Sequence, residues 1–214
     1  MTAVALDSSS VVGIILAGGR SSRMGAEKSL LSLGGVPLIE WVTARLRGQV
    51  EKVIISANGD AERFRDCAVP IVPDIIPDLG PVGGLIAGLR WSQSVGARFV
   101  LTAACDTPFF PTDLAARLAK AIAGNPSGTA VARSNGHDHY TFTLQPVACA
   151  DELESWLGPP EHRSLHDWLK GRQPVSVSFE GDPDPFFNIN APMDLVQAET
   201  WARDFEKFSG KRTA

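Results

Sequence analysis

Three observations predict an α/β fold for this chain of 214 residues: a three-layer α/β/α, Rossmann-like arrangement around a mainly parallel sheet. Short, apolar, β-branched segments alternate with longer segments of helical periodicity through the first 124 residues. The first of those strands runs straight into a glycine-rich, cationic loop. From Gly128 the alternation yields to two extended stretches about a polar turn, which brings an antiparallel hairpin or strand into the C-terminal half.

Val11–Leu16 reads as a buried strand because it is short, β-branched and stopped by Gly18-Gly19. Pro37 opens a helix over Leu38–Arg47, in which Leu38, Ile39, Trp41, Val42 and Leu46 recur at helical spacing until Gly48. Lys52–Ala57 is a strand, Ile71-Val72 a short one, Val82–Ser94 a helix, Arg98–Ala104 a buried strand, and Thr112–Ala123 a helix closed by Gly124. Strands separated by helices pair in parallel and gather ligands at their carboxyl ends. Thr129–Arg133 and Tyr140–Val147 form a hairpin about Ser134-Asn135-Gly136. Helices around Ala150–Leu157 and Ser164–Leu169, an extended Pro174–Phe179 and a terminal helix from Pro192 follow, with Gly181-Asp182-Pro183-Asp184-Pro185 as a stiff polar loop. The whole reads as one domain with an unstructured tail over 209–214.

A net charge of −4 argues against a protein built to grip duplex nucleic acid, which needs a broad basic surface. Cys67, Cys105 and Cys149 are odd in number and form no Cys-x-x-Cys pair, so neither a disulfide framework nor a zinc knuckle is expected. No apolar run approaches the roughly 20 residues of a membrane span, and Met1–Ser10 lacks a basic start and an apolar core. The expectation is a cytoplasmic protein with no nucleic-acid and no membrane partner.

The loop from Leu16 to Lys28 is the strongest chemical signal. It combines Gly18, Gly19 and Gly25 with Arg20, Arg23 and Lys28. Glycines let main-chain N–H groups approach phosphate oxygens, and the cations supply charge-assisted bonds to several oxygens at once, so the loop suits a polyphosphate. It is neither a Walker A loop nor a Gly-x-Gly-x-x-Gly dinucleotide site. Asp106, in Ala104-Cys105-Asp106-Thr107-Pro108, stands at the carboxyl end of a strand, where one hard oxygen ligand suffices for Mg²⁺ completed by water and substrate phosphates; the plain alternative is a turn cap before Pro108. Asp74 and the loop Asp78-Leu79-Gly80-Pro81-Val82-Gly83-Gly84 enter a helix; the glycines permit close approach of a base or phosphate, and an aspartate accepts from a base edge or a ribose. Asn188 and Asn190, two residues apart before Pro192, share one side of an extended backbone, although Asn190 alone would also serve as a helix cap.

The four histidines suggest no metal site. His137 and His139 lie in or beside a turn, His162 and His166 are i,i+4 neighbours, and none has Cys or Glu partners at zinc spacing. His139 remains a candidate acceptor-side contact. Trp156, Trp168 and Trp201 read as core or groove residues.

Taken together, Leu16-Ala17-Gly18-Gly19, Ser22-Arg23-Met24-Gly25, Lys28, Gly80-Pro81-Val82-Gly83-Gly84, Cys105-Asp106-Thr107-Pro108 and Asn188-Ile189-Asn190-Ala191-Pro192 resemble the MobA family of molybdenum cofactor guanylyltransferases, within the GT-A-like nucleotidyltransferases. The resemblance runs from residue 11 to about 195. It implies a nucleotidyltransferase fold with a nucleotide-binding half over 11–124 and an acceptor-binding half over 125–208. It implies transfer of GMP from GTP to the phosphate of molybdopterin carrying molybdenum, with pyrophosphate as the second product and Mg²⁺ as cofactor. By resemblance, Leu16, Ala17 and Gly18 contact GTP, Lys28 neutralises its phosphates, Asp74 contacts the nucleotide, and Asp106 binds GTP and Mg²⁺. Gly19, Arg20, Ser56, Gly80, Gly83, Asn188 and Asn190 complete the candidate nucleotide-contacting set, and Arg23, Lys28 and Asp106 form the candidate catalytic set. Other molybdenum cofactor biosynthesis proteins or molybdoenzyme chaperones are candidate partners.

Three residues depart from the family pattern: Glu27 replaces an aspartate before Lys28, Ser56 replaces a nucleotide-contacting asparagine with Asn58 two residues on, and Tyr140 replaces a proline after His139. Rivals are a cytidylyl or sugar-phosphate nucleotidyltransferase and a non-catalytic nucleotide-binding module.

Overall fold

The computed structural model describes residues 10–18, 28–76, 78–157 and 164–209, without the side chains of 204–209. Every residue of β1 (Val11–Leu16) is buried, as its unbroken apolar run predicts, and the strand lies in the interior of the sheet. Two further strand pieces, β2 (Ser32–Leu33) and β3 (Val36–Pro37), form a small separate antiparallel ribbon about Gly34-Gly35 and lead into α1 (Leu38–Arg47). Then come β4 (Lys52–Ser56), the 3₁₀ turn Ala61–Cys67, β5 (Ile71–Val72), α2 (Pro81–Ser94), β6 (Phe99–Ala104) and α3 (Leu114–Ala121). The second half holds β7 (Ala130–Ser134), β8 (His137–Pro146), α4 (Ala150–Trp156), α5 (Leu165–Arg172), β9 (Val175–Ser178) and α6 (Pro192–Ser209).

The main sheet has seven strands in the order β5-β4-β1-β6-β8-β7-β9. All pairs are parallel except those made by β8, which runs against both β6 and β7. The chain leaves β1 for β4 and β5 on one side, and α2 then carries it across to β6 on the other. That reversal at β1 opens a crevice at the carboxyl ends of β1, β4 and β6, where ligands of doubly wound folds bind. Helices α1 and α3 pack one face with Val11, Ile15, Val42, Leu46, Leu114 and Leu118, and α2, α4 and α5 pack the other with Val12, Ile14, Leu85, Leu89, Leu153 and Trp168.

Boundaries differ modestly from the sequence expectations. α2 starts at Pro81 because Gly80 caps it with φ +55° and ψ −139°, a conformation open to glycine. β8 starts at His137 rather than Tyr140, because Asn135 and Gly136, both at positive φ, close a two-residue turn that pairs Ser134 with His137. Ser209 belongs to α6 rather than to a tail, and residues 210–214 lie outside the described residues. The ribbon β2–β3 and the 3₁₀ turn Ala61–Cys67 were not expected, since each is too short to carry a period.

The backbone of α2 lies close against the sheet. A Cβ on Gly88 would sit 2.4 Å from Ile14 Cδ1, and one on Gly84 would sit 2.6 Å from Ser56 Oγ and 3.2 Å from Leu16 Cδ2. Gly88→Ala therefore sets overpacking of about 1–3 kcal/mol against a helix-propensity gain of about 1 kcal/mol. We expect a net loss of stability in urea unfolding; a more stable variant would show that α2 can move off β1.

Candidate functional site

Three separate chain segments meet where β6 ends. Lys28 opens a 3₁₀ turn (Lys28–Leu30) beyond the first loop, Asp106 follows β6, and Asn190 precedes α6. Lys28 Nζ stands 3.6 Å from Asp106 Oδ2 and donates a hydrogen bond to Asn190 Oδ1. The main chain holds the same junction, since Ile189 N–H donates to the Asp106 carbonyl at 2.9 Å. Ile189 is fully buried with Leu33, Leu38 and Phe109, while the asparagines on either side of it, Asn188 and Asn190, are exposed. Asn190 does not cap α6 with its side chain. Asp194 does that work from inside the helix, accepting from the main-chain N–H groups of Asn190 and Ala191, each at 2.8 Å.

Burial raises the Asp106 carboxyl above its ordinary pKa, with Lys28 pulling in the opposite direction. Only 14% of that side chain is exposed. A carboxylate desolvated in this way and paired to one cation gains from a second, harder cation, so Asp106 fits the single carboxylate that Mg²⁺ commonly takes. Among the described residues, no group of three His, Cys, Asp or Glu is placed to hold a metal ion.

Leu16, Ala17 and Gly18 lie at the exit of β1, with Ala17 N–H bonded to the Ser56 carbonyl at 3.0 Å. Among the described residues, a Cβ on Gly18 would meet nothing within 4 Å. Gly19, Arg20, Arg23 and Glu27 lie outside the described residues. One strand over, Ser56 Oγ donates to Asp74 Oδ1 at 3.4 Å, and Gly83 passes so near that its Cβ would stand 3.1 Å from Asp74 Oδ2. Gly80 and Gly83 thus form the first turn of α2 beside Asp74. The structure brings Lys28, Asp106 and Asn190 together as one group and Ser56, Asp74 and Gly83 as another.

A third group was missed in the sequence apart from its histidine. Ser134 Oγ donates to Asp184 Oδ1 at 2.7 Å and lies 2.7 Å from His139 Nε2, while Asp184 also accepts from Asn135 Nδ2 at 2.9 Å and Phe186 N–H at 2.9 Å. Because the serine proton is directed at Asp184, Nε2 of His139 carries the proton in the middle link. The His139 ring stacks on Phe186 at 4.6 Å. Burial lowers the pKa of His139. Burial works to raise Asp184, but hydrogen bonds from Phe186, Ser134 and Asn135 outweigh it and hold the carboxyl low. No local signal joins Ser134 to Asp184, 50 residues on.

The strands around this group also part. β8 pairs with β6 only over Phe99–Leu101, and its pairing with β7 jumps from Val131↔Thr143 to Ala132↔His139, a bulge of the kind that re-aims side chains. Of the other histidines, His166 packs edge-on to Tyr140, and His162 lies outside the described residues.

The MobA-like NTP transferase domain matches residues 13–175. The molybdenum cofactor guanylyltransferase of Mesorhizobium japonicum is 42% identical over 195 residues, covering 88% of this chain and 94% of the relative. The chain belongs to the MobA family. A second molybdenum cofactor guanylyltransferase, from Rhodobacter capsulatus, is 46% identical over 191 residues, 88% of this chain and 95% of the relative. The MobA fold recurs in the crystal structure of molybdopterin-guanine dinucleotide biosynthesis protein A from Archaeoglobus fulgidus, with a TM-score of 0.71, 23% identity, and coverage of 91% of this chain and 99% of that one. Among the described residues of this MobA-family chain, no helix is long and apolar enough to cross a membrane.

The hairpin group generates a pH dependence. His139 has a lowered folded pKa, so the stability it contributes is present above its ordinary 6.5 and is lost as pH falls from there. Asp184, also lowered, contributes stability above its ordinary 3.8 that is lost as pH falls through its folded value. Melting temperature should therefore decline below pH 6.5 and again below 3.8. Ser134→Ala should lower it at neutral pH and flatten the second decline, and an unchanged acid slope in that variant would refute the link.

Proposed function

We propose that this chain transfers GMP from GTP to the phosphate of Mo-molybdopterin, forming molybdopterin guanine dinucleotide and pyrophosphate. The observation that carries the reading is the meeting of Lys28, Asp106 and Asn190 at the end of β6, in a chain 42% identical to a molybdenum cofactor guanylyltransferase over most of its length. We read residues 1–214 as one nucleotidyltransferase domain, with the nucleotide held by 11–124 and the acceptor by 125–208, working in the cytoplasm.

A phosphate monoester has a second pKa near 6, so the attacking acceptor oxygen is largely ionised at neutral pH and no general base is required. That oxygen forms a bond to the α-phosphorus of GTP, and the bond from the α-phosphorus to the bridging oxygen of the β-phosphate breaks. Two polyanions must be brought together and the leaving pyrophosphate stabilised, which is positioning and electrostatics. Lys28 supplies a preorganised positive charge, held by Asn190 and Asp106. Arg20 and Arg23 add charge from the first loop, Leu16, Ala17 and Gly18 bring the main chain at the exit of β1 to the phosphate oxygens, and Gly19 continues the glycine pair of the sequence. Asp106 would hold Mg²⁺, which when bound neutralises phosphate charge as a Lewis acid. Ser56, Asp74, Gly80 and Gly83 receive the nucleoside at the first turn of α2, and Asn188 and Asn190 face the phosphates from the acceptor side. The loop from Asp184 to Asn190 joins the hairpin group to Lys28, which suits His139 to the acceptor side.

Lys28→Ala and Asp106→Ala should each lower GTP-dependent pyrophosphate release with molybdopterin at least about a hundredfold, the usual cost of losing a preorganised charge partner. Near wild-type turnover at saturating GTP and Mg²⁺ would remove that residue from the catalytic set. Thermal shift with Mg²⁺ should show stabilisation by GTP and little by CTP; the reverse order would indicate a cytidylyltransferase.

A further inference from the structure

We propose that Asn58 is a positioning residue that orients the Asp74 carboxylate for the guanine edge and so sets nucleobase discrimination. Asn58 engages Asp74 at two points. Its Oδ1 accepts the Asp74 main-chain N–H at 2.9 Å, and its Nδ2 donates to Asp74 Oδ2 at 2.8 Å. Together these fix both the backbone and the side chain of a residue in an irregular segment after β5, where no ladder would hold it. Asn58 is itself clamped, since Arg63 Nη2 donates to the Asn58 carbonyl at 2.6 Å and Arg63 Nη1 to the Asp60 carbonyl at 3.0 Å.

The remaining contacts leave Asp74 few orientations. Ser56 Oγ donates to Oδ1 at 3.4 Å, and the missing side chain of Gly83 allows Oδ2 to lie against the first turn of α2. Ser56 Oγ fills the space a Cβ on Gly84 would need, so serine and helix are in direct contact. Ser56 therefore tunes Asp74 from below, and Asn58 has the length and the paired donor and acceptor to lock it from the side.

A carboxylate accepts without donating, and each oxygen has more than one lone pair, so a carboxylate held by Asn58 keeps acceptor capacity on both oxygens. Guanine presents two adjacent donors, the ring N1–H and the 2-amino group, which match it. Hypoxanthine lacks the 2-amino group, and cytosine sets its amino group beside a ring acceptor that a carboxylate repels. Orientation is thus the discriminating variable: a carboxylate free to rotate pairs with water and loses the two-point match.

The inference rests on the reading of this crevice as the GTP site, and the test separates the two. GTP and ITP affinities, measured by calorimetry with Mg²⁺, are compared for wild type, Asn58→Ala, Asn58→Asp and Asp74→Asn, with the melting temperature of each variant and KM and kcat for GTP in pyrophosphate release. Asn58→Asp keeps an acceptor for the Asp74 N–H but turns the donor to the carboxylate into a like charge that repels it, so it unlocks the carboxylate and carries the test if Asn58→Ala fails to fold. We expect the wild type to favour GTP over ITP about tenfold, in the range of a hydrogen bond to a charged group. Both Asn58 variants should narrow that ratio to within about twofold and raise KM about tenfold with kcat nearly unchanged, and Asp74→Asn should abolish the preference. A folded Asn58 variant that weakens GTP and ITP equally, or keeps the wild-type ratio, overturns the positioning role, as does an Asp74→Asn that keeps it. A wild type that binds no GTP overturns the site reading itself, and the proposal with it.

Discussion

The close approach of α2 to β1 and β4 constrains everything at the carboxyl edge of the sheet. With Gly88 against Ile14 and Gly84 against Ser56 and Leu16, the helix backbone takes a position that side chains would deny it. Interior packing tolerates little such displacement, because close-packed contacts are lost quickly as surfaces separate. The approach sets Gly83 beside Asp74 and Gly84 against Ser56. It also directs the positive end of a fourteen-residue helix toward the crevice where β1, β4 and β6 end, which favours anionic ligands there.

Lys28, Asp106 and Asn190 show how the two halves of the chain share one site. Lys28 lies ahead of α1, and its amide partner lies 162 residues further on. The segment carrying Lys28 is pinned to the C-terminal helix by Leu33, Leu38, Ile189, Ala198 and Ala202, and by Gly34 N–H donating to Glu199 at 2.9 Å. An apolar cluster and a few hydrogen bonds thus deliver a lysine and a desolvated carboxylate to the same place. A buried carboxylate carries a desolvation cost that a nearby cation offsets, and this suits the proposed task of gathering phosphate charge.

β8 runs against both of its neighbours, and its sequence explains why. Asn135-Gly136 closes the turn tightly enough to return the chain at once, so no crossover helix intervenes and the pairing is antiparallel. Past Leu101 the ladder to β6 stops, and Thr102 Oγ1 takes up the Thr143 N–H at 3.1 Å in its place. Phe186 meets both Phe142 and Phe179 edge to face, which ties the Asp184–Phe186 segment to β8 and to the end of β9.

The sequence by itself determined the elements that have a period and the residues whose position is local: β1, α1, α2 and β6, the Asn135-Gly136 hairpin, and the aspartate at the end of β6. Burial on one or both faces repeats along the chain at fixed intervals, and turn glycines mark where it stops, so these features leave a trace in neighbouring residues. The trace was weakest for Asn190, whose local pattern fitted both a helix cap and a polar site contact and whose side chain accepts from Lys28, and for Asn58, whose partner Asp74 lies 16 residues on. It was absent for the tie from Ser134 to Asp184 and for the parallel pairing of β9 with β7. Only the tertiary structure decided these, because a hydrogen bond between residues far apart in sequence depends on the path of the chain between them, and no local periodicity encodes that path.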